Sequence, residues 1–282
     1  MRAFNPTDNP PASGLIDRLI RRFPAASHAV AGSLLYAVVI VALGMALLPA
    51  LVIASLTVPA LIAQHAWWQW PVLAVLASAL LFLCGFALLV VVPVFNALLP
   101  TRLRPFSGGY FTGASLPWYL HNGLFYLVRY SFLPFVTTTP IGIWFLRAMG
   151  MRIGRGTHIT TENFSDVCMI TVGSDVAIGG SANIFCHYGG GGRLVIAPVI
   201  IENRATIGEK ATIMGDVVVG EGATILAHAA LLPGTRVGAG ERWGGAPARR
   251  ISPAEWNVVK AEMRGLTPGD PPVPPAGQSR MT

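Results

Sequence analysis

The stretch VIAPVIIENRATIGEKATIMGDVVVGEGATILAHAALLPGTRVGAGER, residues 195–242, decides the fold. An aliphatic residue returns at every sixth position: Val195, Ile201, Ile207, Ile213, Val219, Ile225, Leu231 and Val237. Four places after each comes a small or β-branched residue: Val199, Ala205, Ala211, Val217, Ala223, Ala229 and Thr235. Glycine follows the aliphatic at Gly208, Gly220 and Gly238. A beat of six is neither the helical 3.6 nor simple alternation. It belongs to a β-helix, in which each hexad supplies one short strand and a corner and stacked coils bury the aliphatic ladder. The glycines are expected at the corners, where positive φ carries no steric penalty.

The beat extends upstream through Ile153-Gly154, Val172-Gly173, Ile178-Gly179 and Ile184, with Val176 and Ala182 at the small position. It slips twice. One residue is added between Ile159 and Val172, and about five in the segment of Gly189, Gly190, Gly191 and Gly192. A frame that slips and resumes predicts a loop thrown out from a coil, where function tends to sit.

The block 153–250 resembles the left-handed β-helix acyltransferases of the hexapeptide family. Its end, Trp243-Gly244-Gly245-Ala246-Pro247-Ala248-Arg249-Arg250, is similar to that family's terminal W-x-G-x-P-A signature. Within the family, the run from Leu120 through His187 looks most like the membrane-associated terminal domains of certain peptide synthetases, poly-lysine synthase among them. Left-handed winding is implied by the resemblance; the general crossover rule would favour the right hand.

The rest of the chain is unlike this block. Apolar residues make up 53% of the 282 positions and charged ones only 12%. No Lys, Arg, Asp or Glu occurs between Phe23 and Thr101. A charge at the centre of a membrane helix costs about 2.5–3.5 kcal/mol, so their absence predicts membrane spans. The stretch is too long for one span of about 20 residues and accommodates two. They are placed near 30–53 and 71–95, with Trp67, Trp68 and Trp70 at an interface between them. Ahead of them, Leu15, Ile16, Leu19, Ile20 and Phe23 form an apolar stripe opposite Arg18, Arg21 and Arg22, as in a basic helix lying on a lipid face. The net charge of +7 is read as attraction to anionic lipid, because the arginines flank apolar spans; nucleic-acid binding would need clustered bases with stacking aromatics.

Arg18, Arg21 and Arg22 precede the first span, Arg102 and Arg104 follow the second, and the connector has no Lys or Arg. The positive-inside rule puts both ends in the cytoplasm. The expected organisation is therefore a cytoplasmic basic segment (1–25), a two-helix membrane anchor (26–100), an interfacial junction (101–150), the β-helix (151–250), a short helix (251–264) and a disordered tail (265–282). The fold class is mainly β, a left-handed parallel β-helix preceded by two transmembrane helices, in a multi-pass protein of the cytoplasmic (inner) membrane. In the junction, Gly108-Gly109 is expected to turn. A helix is expected over 117–131, another turn at Pro140-Ile141-Gly142 and a short helix over 143–149. The junction reads equally as a cap on the first coil or as a lipid-facing vestibule.

Acyl transfer to a hydroxyl or amine needs a base near neutrality, and histidine is the natural choice. His158 takes position six of its hexad; His187 and His228 take position four. With three hexads per coil, as in the family, the hexads opening at Ile184, Ile207 and Ile225 share a face. His187, Lys210 and His228 then form one column, the histidines roughly 10 Å apart at a strand spacing of ~4.8 Å. His187 stands at the mouth of the glycine-rich loop, where the resemblance places catalysis, with His228 as the second candidate. In the related synthetase domains acidic residues follow this histidine; here Tyr188 and four glycines do, so a charged partner in the loop is missing. Asp166 or Asn163, about one coil earlier, could orient the imidazole instead, although corner capping is the plainer role for Asn163.

Cys168 and Cys186 lie one coil length apart, but a structural disulfide does not suit a cytoplasmic domain. No set of four Cys or His has zinc spacing, and no metal is expected. By resemblance, Trp243, Gly245, Pro247, Ala248 and Arg249 border the pantetheine arm of an acyl thioester, and Arg249 and Arg250 could meet coenzyme phosphates. Ser252-Pro253-Ala254-Glu255 reads as a capping box opening a helix to about Arg264.

The expected function is transfer of an acyl group, acetyl first, from acyl-CoA or an acyl-carrier thioester to a hydroxyl or amine. The acceptor would be a membrane-associated small molecule, glycan or peptide. Membrane lipid and a homotrimer are the expected partners, with no nucleic acid. Two other readings stay open: a non-catalytic scaffold or docking module of a peptide or polysaccharide assembly complex, and an amide-forming partner of a peptide synthetase.

Overall fold

The computed structural model describes residues 14–263; the first thirteen residues of the expected basic segment and the expected tail, 265–282, lie outside them. The chain opens with α1 (Leu15–Arg22), α2 (Pro24–Ile62) and α3 (Gln69–Leu98). The last two have 39 and 30 residues, or about 58 and 45 Å at 1.5 Å per residue. Both exceed the ~30 Å hydrocarbon core of a bilayer, and both are long and apolar enough to cross a membrane. Ala42, Ala46 and Ala50 are buried at four-residue spacing on α2, and the first two share a packed cluster with Cys84, Leu88 and Val92 of α3. Small residues let the two backbones approach. The outer faces are apolar and open: Leu34, Ile40, Leu48, Leu56 and Leu81 are each more than half exposed.

After the hairpin come α4 (Leu116–Arg129), α5 (Leu133–Val136) and α6 (Pro140–Ala148). The turn expected at Pro140 is instead the first turn of α6, with Thr139 as its N-cap. Proline is at home there because the first helical N–H has no partner to lose. Gly108-Gly109 does not turn either. It ends the strand Phe106–Gly109, which pairs antiparallel with Arg193–Ile196.

From Arg152 the chain winds into a parallel β-helix. Three columns of short strands stack in parallel. One joins Arg152–Ile153, Ile170–Val172, Val199–Ile201, Val217–Val219 and Arg236–Val237. The second joins His158–Ile159, Ala177–Ile178, Thr206–Ile207, Thr224–Ile225 and Arg242–Gly244. The third joins Phe164–Ser165, Asn183–Phe185, Thr212–Ile213 and Ala230–Leu231. The aliphatic ladder points inward, with Ile201, Ile213, Val219, Ile225 and Leu231 fully buried, and Ala205, Ala211, Ala223 and Ala229 fill the core beside it. Each such aliphatic side chain contributes roughly 1.5–3 kcal/mol by its burial.

The glycines after the aliphatic are needed for closeness, not for φ. A Cβ on Gly208 would strike the backbone of Leu226 and Ala227 in the next coil. The left-handed corner lies two places later, and ordinary residues fill it at Asp175, Lys210, Asp216 and His228.

The second slip is longer than its phase shows. Ile184 stacks on Ile213, 29 residues on, whereas Ile213 stacks on Leu231, 18 on, so the excursion adds eleven residues, not five. The chain leaves the coil at Cys186, runs out and back as the antiparallel hairpin His187–Gly190 and Arg193–Ile196, and re-enters where the Ala197 N–H donates to the Cys186 carbonyl. The hairpin and Phe106–Gly109 make a small sheet on the side of the β-helix.

At the far end α7 (Pro253–Met263) opens on the expected capping box: the Glu255 N–H donates to Ser252 Oγ at 3.2 Å and the Ser252 N–H to Glu255 Oε2 at 2.8 Å.

Candidate active site

The extra residue in the first slip has a local use. Asp166 adopts a left-handed conformation, φ 56°, which aspartate tolerates better than most residues. This turns its side chain under the mouth of the hairpin. Asp166 is fully buried, and its Oδ2 lies 2.6 Å from His187 Nδ1, whose side chain is 27% exposed. The same oxygen accepts the Cys186 N–H at 3.0 Å. The other oxygen accepts Trp118 Nε1 at 2.6 Å and Asn122 Nδ2 at 2.7 Å. A buried carboxylate is sustainable only with its lone pairs engaged, and four donors converge here.

An ionised carboxylate only accepts, so the proton of a neutral His187 sits on Nδ1 and the Nε2 lone pair is free. No hydrogen bond to Nε2 occurs among the described residues. The ring stands against Trp118, edge to face at 5.1 Å between centroids, with Phe185 at 5.7 Å. Imidazole, carboxylate and flanking rings make a fixed group that opens to solvent on one side. Asp166 thus takes the place of the charged partner missing after His187.

The support comes from α4. Trp118, Asn122, Tyr126 and Arg129 fall at helical spacing on one face. Asn122 donates to the Asp166 carboxylate and accepts the Asp166 N–H at 3.0 Å. The Tyr126 hydroxyl meets Ser165 Oγ at 2.6 Å, and burial raises the Tyr126 pKa. Arg129 donates to the Phe164 carbonyl at 3.0 Å and to Asn163 Oδ1 at 2.9 Å, so Asn163 anchors α4 and does not orient His187. Sequence reasoning missed Trp118 and Asn122 as site residues; the signal was this stripe of hydrogen-bonding side chains.

The expected column of His187, Lys210 and His228 does not exist. Ile184 belongs to the third column and Ile207 and Ile225 to the second. His228 is an exposed left-handed corner residue, and His158 is exposed on the second column. The run 243–249 makes contacts of its own. Trp243 stacks on Ile225 in the second column and donates from Nε1 to Glu241 at 2.9 Å. Arg249 pairs with Glu255 at 2.8 Å and Arg250 with Glu241 at 3.2 Å. Gly245 is left-handed and the Ala246–Pro247 bond is cis. No hydrogen bond or ring contact links Trp243, Gly245, Pro247, Ala248 or Arg249 to His187 among the described residues.

Cys168 and Cys186 are free thiols. Burial pushes the Cys168 pKa up to about 11 and that of Cys186 well up, so neither is a ready thiolate nucleophile. Among the described residues no three His, Cys, Asp or Glu side chains gather as a metal site.

No known family profile and no curated protein matches the chain. Solved structures do. A hexapeptide-repeat acetyltransferase from Vibrio cholerae is 24% identical over 37% of this chain, at a TM-score of 0.34. This chain spans 63% of that protein's length. A maltose O-acetyltransferase from Clostridium difficile is 21% identical over 43% of this chain and 81% of its own, at a TM-score of 0.33. A galactoside acetyltransferase in complex with coenzyme A is 17% identical over 43% and 76%, also at 0.33.

Proposed function

We propose that this chain is a membrane-anchored acyltransferase, moving an acyl group from a coenzyme A or carrier-protein thioester to a hydroxyl or amine of a membrane-associated acceptor. The observation that carries the reading is the buried Asp166 carboxylate, held by four donors, with His187 Nδ1 among them and Nε2 left free.

In the step this geometry supports, His187 Nε2 takes the acceptor's proton as its oxygen or nitrogen attacks the thioester carbonyl. Asp166 stabilises the imidazolium that forms. The tetrahedral intermediate collapses, the C–S bond breaks, and the leaving thiolate takes the proton from Nε2. General-base assistance of this kind contributes roughly 10²–10⁴-fold.

The anchor is α2 and α3: uncharged, apolar on their outer faces, and less than a third buried. The arginines at the near ends of both helices support a cytoplasmic β-helix by the positive-inside rule. Anchoring confines base and acceptor to one thin layer and raises their effective concentration. The run 243–249, which has no hydrogen bond or ring contact to His187 among the described residues, would serve as the thioester cradle of a neighbouring copy in a homotrimer.

The test is thioester turnover. Purified chain is supplied with acetyl-CoA and a total lipid extract, and release of free thiol is followed. Release that falls at least 10²-fold in His187→Ala is expected. Equal release by both proteins would remove His187 from the chemistry. No release and no coenzyme binding would favour the docking-module reading.

A further inference from the structure

An apolar groove of about 630 Å³ runs between α1, the start of α2, and the segment leading into α4. That volume lies within the ~300–1,000 Å³ of clefts that hold small ligands. Its walls include Leu19, Ile20, Leu35, Phe111, Leu116 and Tyr119. Gly32 forms part of the floor, and a Cβ there would meet nothing within 4 Å. The groove continues onto the outer face of α2, where Val30 and Leu34 are 60% and 62% exposed, so it opens sideways into whatever apolar phase surrounds that helix.

Two observations say what lies in it. Arg18 and Arg22, on the helix that supplies Leu19 and Ile20, are exposed and form no ion pair among the described residues. Neither lines the groove, but both bring unpaired positive charge to the short helix that forms one of its walls. The groove also shares a wall with the base. Phe111 stacks on Tyr119 at 5.8 Å, Tyr119 meets Trp118 at 4.8 Å, and Trp118 meets His187 at 5.1 Å. The Tyr119 hydroxyl donates to the Tyr110 carbonyl at 3.2 Å, while the Tyr110 hydroxyl lies where a Cβ on Gly189 would be, in the hairpin that carries His187.

We infer that the groove holds the alkyl tail of an anionic membrane amphiphile whose headgroup carries the hydroxyl or amine deprotonated by His187. The second half of that statement rests on the acyltransfer reading above. A tail leaving the bilayer for an apolar groove gains little hydrophobic free energy, since one apolar phase replaces another. The groove therefore selects by packing, and its contribution is to position the headgroup.

The experiment separates the two halves. The full chain in phosphatidylcholine nanodiscs is irradiated with hexadecyl phosphate carrying a diazirine at the end of its tail, without acetyl-CoA. Labelling is expected to concentrate in 15–35 and 111–120. It should fall at least five-fold in Gly32→Phe, which grows into the groove, and stay unchanged in Gly44→Phe, which enters open space elsewhere on α2. Both changes replace a helix-weakening glycine, so folding is retained. Label spread along the outer faces of α2 and α3, with no loss in Gly32→Phe, would overturn the inference. The headgroup half is read from acetyl transfer to aminoalkyl phosphates. The kcat/KM ratio of a sixteen-carbon over a four-carbon acceptor should drop in Gly32→Phe, and an unchanged ratio would refute the acceptor assignment. Transfer to neither acceptor, with labelling still confined to the groove, would refute the acyltransfer reading and leave the tail site standing.

Discussion

Replacing Asp166 by Asn tests the site at its most constrained point. Each carboxylate oxygen accepts two donors: Trp118 Nε1 and Asn122 Nδ2 on one, His187 Nδ1 and the Cys186 N–H on the other. An amide has one oxygen, so its NH₂ must face two donors in either orientation. Facing it to Trp118 and Asn122 is the worse choice. Trp118 has no other tautomer, and Asn122 could only flip by losing the Asp166 N–H that it accepts. Facing it to His187 is easier, because the imidazole can move its proton to Nε2 and accept at Nδ1. The Cys186 N–H is then left buried and unpaired, at about 1–3 kcal/mol. The protein should fold with a lowered thermal midpoint, but its base now carries a proton where it needs a lone pair. In serine-protease triads the equivalent change costs ~10⁴-fold in turnover, and a loss of about 10³–10⁴-fold is expected here. The assay is thiol release from acetyl-CoA beside a thermal melt of the same preparation. A folded Asp166→Asn protein within about ten-fold of wild type would refute the tautomer argument.

Further predictions concern stability. Ile213→Ala, in the fully buried ladder, should cost about 2–5 kcal/mol and lower the melting temperature by several degrees; an unchanged melt would contradict the stacked core. Gly208→Ala should destabilise clearly, because its Cβ meets the next coil's backbone, whereas Gly222→Asn should be tolerated, since Gly222 is left-handed with open space around it; the reverse order in thermal melts would refute the distinction between the two glycine positions. Burial lowers the His121 pKa from 6.5 to about 4, so below pH 6.5 the unfolded chain binds a proton that the folded chain refuses. Stability should fall by about 3 kcal/mol between pH 6.5 and 4 through this group, and melts of His121→Gln over that range should show a shallower decline.

The repeat made the β-helix legible because a ladder of identical strands must repeat its core residues. The same regularity hid the length of the hairpin. Excursions of five and eleven residues return Val195 to the same phase, and the wrong length put His187 in a column with His228. Position-two glycines such as Gly208 looked like corners because the sequence shows only that a side chain is excluded, not whether φ or a neighbour excludes it. Asp166 was legible as one of two candidates to orient His187, but the choice between it and Asn163 was not, since its orientation depends on a left-handed turn within a slip of the frame. Trp118 and Asn122 reach it from a helix 48 and 44 residues away; their stripe on α4 marks a polar face but not what that face meets. The strand at Gly108-Gly109 likewise exists only because Arg193 and Leu194 pair with it.

The account stands on chemistry at His187, and the most direct measurement follows the acyl group itself. The full chain in nanodiscs made with an anionic lipid extract is given acetyl-CoA labelled in the acetyl carbon, and label entering the lipid fraction is counted in a single turnover. The account predicts label in a lipid-phase ester or amide for wild type, with the rate at least 10²-fold lower in His187→Ala. Label transferred equally by both proteins, or retained on coenzyme A despite demonstrated coenzyme binding, would contradict it.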